Sequence, residues 1–150
     1  MTVESVMNKD PVTVSSTDTF GHAFQLLVER RVRSLPVVDD GRIYRGMFDL
    51  YDIWKLLLPR AALLDGDSLR DLSFIPGSRE QLRDKLREAA QRPITDFLDA
   101  DQAPAIYPKT TVIEAILLLH RYGGNLPVID PKTRQLAGLV SAWEILELLR

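Results

Sequence analysis

Phe20, Ala23, Phe24, Leu27 and Val28 recur at i, i+3, i+4, i+7 and i+8, the spacing that places apolar side chains on one helix face. Val112, Ala115, Ile116 and Leu119 draw the same stripe later in the chain, and there Thr111 with Glu114 forms a capping box. A short run precedes each stripe: the β-branched Val12-Thr13-Val14 after Pro11, and Ala105-Ile106-Tyr107 after Pro104. Each stripe is followed by a second extended run, Leu35-Pro36-Val37-Val38 or Leu126-Pro127-Val128-Ile129. Asp39-Asp40-Gly41 supplies turn chemistry before a third strand, Tyr44 to Phe48. Last helices are expected from Leu50 to about Leu58 and from Ala142 to Leu149. The pattern predicts an α+β (α/β) chain in which one β-α-β-β-α unit occurs twice.

The two copies keep step. From Pro11/Pro104 to Ile53/Ile145 the offset stays between 91 and 93 residues, which points to a duplicated supersecondary unit. Units of this size bury too little surface alone, so the copies are expected to pack sheet to sheet about a pseudo-twofold axis. Each has a lead-in, Val3-Glu4-Ser5-Val6-Met7 and Ile94-Thr95-Asp96-Phe97-Leu98. The expected division is 1–58 for the first repeat, 59–93 for a helical connection, and 94–150 for the second repeat. Gly66 and Pro76-Gly77 punctuate the connection, and Ser78 to Gln81 opens a helix with Leu82, Leu86 and Ala89-Ala90 on one side, stopped by Pro93.

Composition narrows the function classes. Apolar residues make up 45% and charged residues 27%, ordinary for a soluble globular protein. With a net charge of −2, no basic field is available for a nucleic-acid backbone. Cysteine is absent, which excludes disulfides and thiolate metal sites. The longest uninterrupted apolar run, Ala115 to Leu119, is far short of a membrane span, and the first residues do not read as a signal peptide. A soluble cytoplasmic protein is the expectation.

The doubled order of Pro-Val-Thr-Val, amphipathic helix, Leu-Pro-Val-Val-Asp, and glycine before a short polar motif resembles the CBS domain, and two in tandem resemble a CBS pair, or Bateman module. The resemblance covers nearly the whole chain apart from the connection. It implies two clefts on the pseudo-twofold axis that take an adenosine-containing ligand (AMP, ADP, ATP or S-adenosylmethionine), and a regulatory sensor with no catalysis. It also implies a ligand signature: Thr or Ser, two residues, then Asp, with the hydroxyl toward phosphate and the carboxylate on the ribose diol. This chain departs from that signature twice. The first copy has Asp49 in the hydroxyl position and keeps Asp52; the second keeps Ser141 and has Glu144 for Asp.

Ser141-x-x-Glu144 and Asp49-x-x-Asp52 are also sufficient as helix caps, and both readings stay open. If they bind, the two clefts are expected to differ. A helix N-terminus attracts an anion by roughly 0.3–1 kcal/mol, whereas a carboxylate ~4 Å from a phosphate charge repels it by about 4 kcal/mol at an effective dielectric near 20. The Asp49 cleft, with Asp52 and the opposing Ile106, Gly124, Asn125 and Pro127, should refuse a phosphate there. Adenosine with its phosphate turned away, a neutral nucleoside, a cation or nothing remain for it. The Ser141 cleft is expected to hold the nucleotide through Ser141, Glu144 and Arg33. The resemblance adds Val12, Thr13, Leu35, Pro36 and Val37 around the adenine; Arg30 and Arg31 add positive field.

His22 and His120 have no nucleophile or acid at a readable spacing, and caps explain Asp49, Asp52 and Glu144 better than a magnesium site does, so neither catalysis nor a metal is expected. The competing class is an interaction scaffold with the fold and no ligand. Homodimerisation is expected in either case, through the helices after Asp49 and Ser141, with Trp54 and Trp143 at corresponding places and Leu57 and Leu146 beside them. Packing of these four within the chain is the alternative.

Overall fold

The computed structural model describes residues 1–64, 77–98 and 104–150. Gly66 and Pro76, expected to punctuate the connection, lie outside the described residues. In chain order the elements are β1 (Val14–Ser15), α1 (Phe20–Arg30), β2 (Ser34–Val38), β3 (Tyr44–Asp49), α2 (Leu50–Leu57), α3 (Arg60–Leu64), α4 (Arg79–Ala89), α5 (Val112–Tyr122), β4 (Leu126–Ile129), β5 (Leu136–Val140) and α6 (Ala142–Leu149).

Threonine caps begin the matched helices: the Thr19 hydroxyl accepts from the His22 N–H, and the Thr111 hydroxyl from the Glu114 N–H. In the first repeat β1 runs parallel to β2, and β2 pairs antiparallel with β3. In the second, β4 pairs antiparallel with β5, and a single parallel bridge from Ile106 to Val128 stands where β1 would be. Both hairpins shift register at the same place, between Val37 and Val38 and between Val128 and Ile129. The β-α-β-β-α order occurs twice, with the first strand of the second copy reduced to that bridge, and the expected stripe of α5 is broken at Ile116, which is exposed. The first strand begins at Val14 rather than Val12, and Val28 is exposed, so the buried stripe of α1 ends at Leu27.

Each repeat has its own apolar core, and each core borrows from the other half of the chain. Ile94, Phe97 and Leu98, the lead-in of the second repeat, pack with Phe20, Leu35 and Phe48 of the first. Val3, Val6 and Met7, the lead-in of the first, pack with Ile106, Leu126 and Val140 of the second. Backbone bonds fix the crossing: Ile94 N–H donates to Asp18 O at 2.9 Å, and Val3 N–H to Thr110 O at 2.9 Å. Gly138 makes room for one crossing, since a Cβ there would stand 2.7 Å from the Asn8 carbonyl oxygen. Its counterpart Gly46 faces the Leu98 side chain of the other lead-in, 3.2 Å from where a Cβ would stand.

Contacts between equivalent positions mark the axis relating the halves. Asn125 Nδ2 donates to Ser34 Oγ at 2.8 Å, across 91 residues. Ile43 and Gln135 form a β-bridge, and Gln135 Nε2 donates to the Gly41 carbonyl at 2.8 Å. The helix starts also align the last helices: Asp49 caps α2 and Ser141 caps α6, so Tyr51 matches Trp143 and Trp54 matches Leu146. The two tryptophans therefore do not correspond. Trp54, Trp143 and Leu146 are exposed, while Leu57 is partly buried against the first core.

Candidate functional site

The polar motifs at the starts of α2 and α6 sit where strand turns into helix: Asp49 ends β3, and Ser141 follows Val140 at the end of β5. Asp49 accepts from the Tyr51 N–H at 2.9 Å, and Asp52 accepts from the Asp49 N–H at 2.9 Å. Ser141 Oγ accepts from the Trp143 N–H at 3.2 Å and donates to Glu144 Oε2, which also accepts from the Ser141 N–H at 2.7 Å. Both motifs thus close capping boxes. The Ser141 proton is engaged by Glu144, so a bound anion would have to draw it away.

Beside Ser141 lies a cleft of about 520 Å3, built from residues 8, 10–12 and 31–34 of the first repeat and residues 119, 123–125, 139 and 141–144 of the second. Its volume falls in the range of small-molecule sites. The lining brings together Ser141, Glu144, Arg33 and Val12, which the sequence placed in one site. Thr13, Leu35, Pro36 and Val37 are not in it; Leu35 to Val37 lie in β2, flanked by β1 and β3, and are buried in the sheet. Asn125, assigned from sequence to the Asp49 cleft, lines this one and holds Ser34 across the axis. Asn8, Asp10, Ser34 and Trp143 line it as well, and sequence reasoning did not give them that role.

Asp49 has a positive neighbour, and it comes from its own repeat. Arg33 Nε stands 3.7 Å from Asp49 Oδ2, and Gly124 passes close by, with a Cβ there 3.8 Å from the same oxygen. Arg33 therefore serves the Ser141 cleft wall and offsets the Asp49 carboxylate at once. Asp52 is buried and lines a separate cavity of about 320 Å3 with Lys55, Leu56, Arg92 and residues 96–98. Ile106 and Pro127 are buried and bonded to each other through the Ile106 N–H and the Pro127 carbonyl at 2.8 Å.

Arg31 adds a second cation and a backbone cost. It ends α1 in the left-handed region at φ 52°, where the matched residue ending α5 is Gly123 at φ 70°. A side chain in that region costs about 1–2 kcal/mol. Arg31 is one of the residues lining the cleft, which gives the strained position a use beyond ending the helix. Among the described residues, no three His, Cys, Asp or Glu side chains cluster as metal ligands, and no helix is long and apolar enough to cross a membrane.

Comparison with known proteins matches a family model described as CBS domain over residues 3–56 and 93–150. The glycine betaine/carnitine/choline transport ATP-binding protein OpuCA of Bacillus subtilis (strain 168) is 36% identical over 92 residues, 61% of this chain and 24% of that protein. The chain thus spans about a quarter of the length of that curated relative. Among solved structures, the CBS-pair protein CBSX2 from Arabidopsis thaliana superposes with a TM-score of 0.76 at 22% identity, covering 99% of this chain and 93% of that one. CBSX2 in complex with AMP gives 0.70 at 20% identity, over 99% and 95%. The CBS domain pair of protein MJ0100, in complex with 5′-methylthioadenosine and S-adenosyl-L-methionine, gives 0.66 at 19% identity, over 99% and 95%. At these identities the structural likeness speaks for the fold.

Proposed function

We propose that this chain, which belongs to the CBS domain family through residues 3–56 and 93–150, is a non-catalytic regulatory module that senses an adenosine-containing ligand in the cytoplasm. Residues 1–58 and 94–150 are its two repeats and 59–93 the connection. The observation that carries the reading is the 520 Å3 cleft, to which both repeats contribute and where Arg33, Ser141 and Glu144 meet. In the proposed complex Arg33 and Arg31 take the phosphate, the Ser141 hydroxyl turns from Glu144 to a phosphate oxygen, and Glu144 accepts from the ribose diol. Charge-assisted hydrogen bonds of this kind contribute about 1.5–3 kcal/mol each. Assembly as a homodimer belongs to the same reading, supported by apolar residues left exposed on the helical layer.

One observation favours a ligand-free scaffold instead: both signature motifs are already satisfied as caps. Melting in the presence of AMP, ATP or S-adenosylmethionine separates the two. A ligand at 100-fold excess over its Kd should stabilise the fold by about 2.7 kcal/mol. No shift with any of the three, and no heat in calorimetry, would leave the scaffold.

A further inference from the structure

The Asp49 carboxylate divides its oxygens between two contacts. Oδ1 accepts from the Tyr51 N–H at 2.9 Å and starts α2, while Oδ2 stands 3.7 Å from Arg33 Nε. The hairpin fixes the second contact: Ser34 pairs with Asp49 across β2 and β3, and the Leu50 N–H donates to the Arg33 carbonyl at 3.1 Å. Asp49 is the more sheltered partner, its side chain 16% exposed against 55% for Arg33. Nε is one corner of the guanidinium, so the terminal nitrogens remain able to donate to a ligand.

The second repeat lacks both members of the pair. Ser141 stands where Asp49 does, and Gly124, next to Asn125, stands where Arg33 does beside Ser34. A hydroxyl starts α6 with a capping box as complete as that of α2, so a helix start here needs no charge. What the carboxylate adds is its hold on Arg33, and Arg33 lines the Ser141 cleft. Among the described lining residues the arginines, Arg31 and Arg33, are balanced by the acids, Asp10 and Glu144. With Asp49 behind Arg33, the surroundings of a ligand are already net negative.

We propose that Asp49 sets the charge this cleft accepts: holding Arg33 from behind, it makes the cleft select an adenosine ligand with a single phosphate over a polyphosphate. Arg31 and Arg33 together meet a first phosphate. A second or third adds negative charge to a cleft that already contains Asp10 and Glu144, with no further cation among the described lining residues to receive it. Coulomb repulsion falls only with the inverse of distance, so Asp49 acts on those charges without touching the ligand. It is a positioning residue whose effect grows with ligand charge, whereas a carboxylate needed only as a cap would influence AMP and ATP alike. The inference rests on the adenosine reading of the cleft and names the ligand's charge within it.

Calorimetry of the native chain with AMP and with metal-free ATP should show AMP bound tighter by about fivefold or more. Asp49→Asn keeps an equally good cap and should narrow the gap by about two- to fivefold, with most of the change in ATP. Asp49→Glu, which keeps the charge, should bring the native gap back. ATP bound as tightly as AMP by the native chain would overturn the inference. So would Asp49→Asn leaving the gap unchanged, or weakening both nucleotides equally. Binding of S-adenosylmethionine with no heat from either nucleotide would overturn it and leave the adenosine reading standing. No binding of any of the three would overturn both.

Discussion

The first repeat starts its last helix with Asp49 and has its outer layer closed by α4; the second starts it with Ser141 and, among the described residues, has no helix laid over the outer faces of α5 and α6. Core and topology are nearly shared, down to the matched register shifts at Val37 and Val128. What differs lies outside the shared sheet topology. The contrast teaches where to look for function: at the positions where one copy departs from the other without a packing reason.

The crossing of the lead-ins is the part of the comparison with the largest expected effect. Ile94→Ala removes a fully buried side chain from the first core and should cost about 2–5 kcal/mol. Hydrogen exchange should then speed up most in α1, although Ile94 precedes the second repeat in sequence. Faster exchange confined to α5 would break the crossed arrangement. Gly138→Ala should cost about 1–3 kcal/mol by pushing a Cβ against the Asn8 carbonyl. Urea melts would show this, and an unchanged midpoint would mean the lead-in does not lie there.

Smaller effects sharpen the cleft. Arg31→Gly relieves a left-handed arginine and should raise stability by about 0.5–1 kcal/mol, net of the backbone entropy of glycine. The same change should weaken any anionic ligand. A variant neither more stable nor weaker in binding would remove Arg31 from the account. The smallest effect concerns two matched aspartates. The Ser16 hydroxyl bond, with help from Arg45, holds the Asp39 carboxyl below its ordinary value of 3.8. The Thr133 and Lys132 backbone N–H groups do the same for Asp130. A carboxylate lowered by folding stabilises the protein above its unfolded pKa, and that contribution is lost as pH falls through the folded one. Asp39→Asn and Asp130→Asn should each flatten the melting-temperature profile below about pH 4 and leave its shape above pH 5 unaltered.

Local periodicity and turn chemistry made the repeats, much of the helix stripes and the four capping boxes of the described residues legible, because each is written within a few residues. The crossing of Val3 and Ile94, the pairing of Arg33 with Asp49 and the bond from Asn125 to Ser34 join positions far apart in sequence, and no spacing announces them. Gly21 did leave a trace. Gly21, in the first turn of α1, matches Ile113 in α5, and that difference is a local sign of the close approach that α4 supplies. The Ser141 cleft was half legible: Ser141 and Glu144 came from a motif, whereas Asn8, Asp10 and Trp143 reach it through the fold.

The central claim, that an adenosine ligand sits against Ser141 and Arg33 rather than Asp49 and Asp52, is tested most directly by AMP calorimetry on Arg33→Ala, Ser141→Ala and Asp52→Ala beside the native protein. The account predicts one site per chain, weakened more than tenfold by Arg33→Ala, given about 1.5–3 kcal/mol for a charged hydrogen bond. Ser141→Ala should weaken it as well, and Asp52→Ala should leave it in place. Binding that persists without Arg33 and Ser141 but vanishes with Asp52→Ala would contradict the claim and move the ligand to the other cleft.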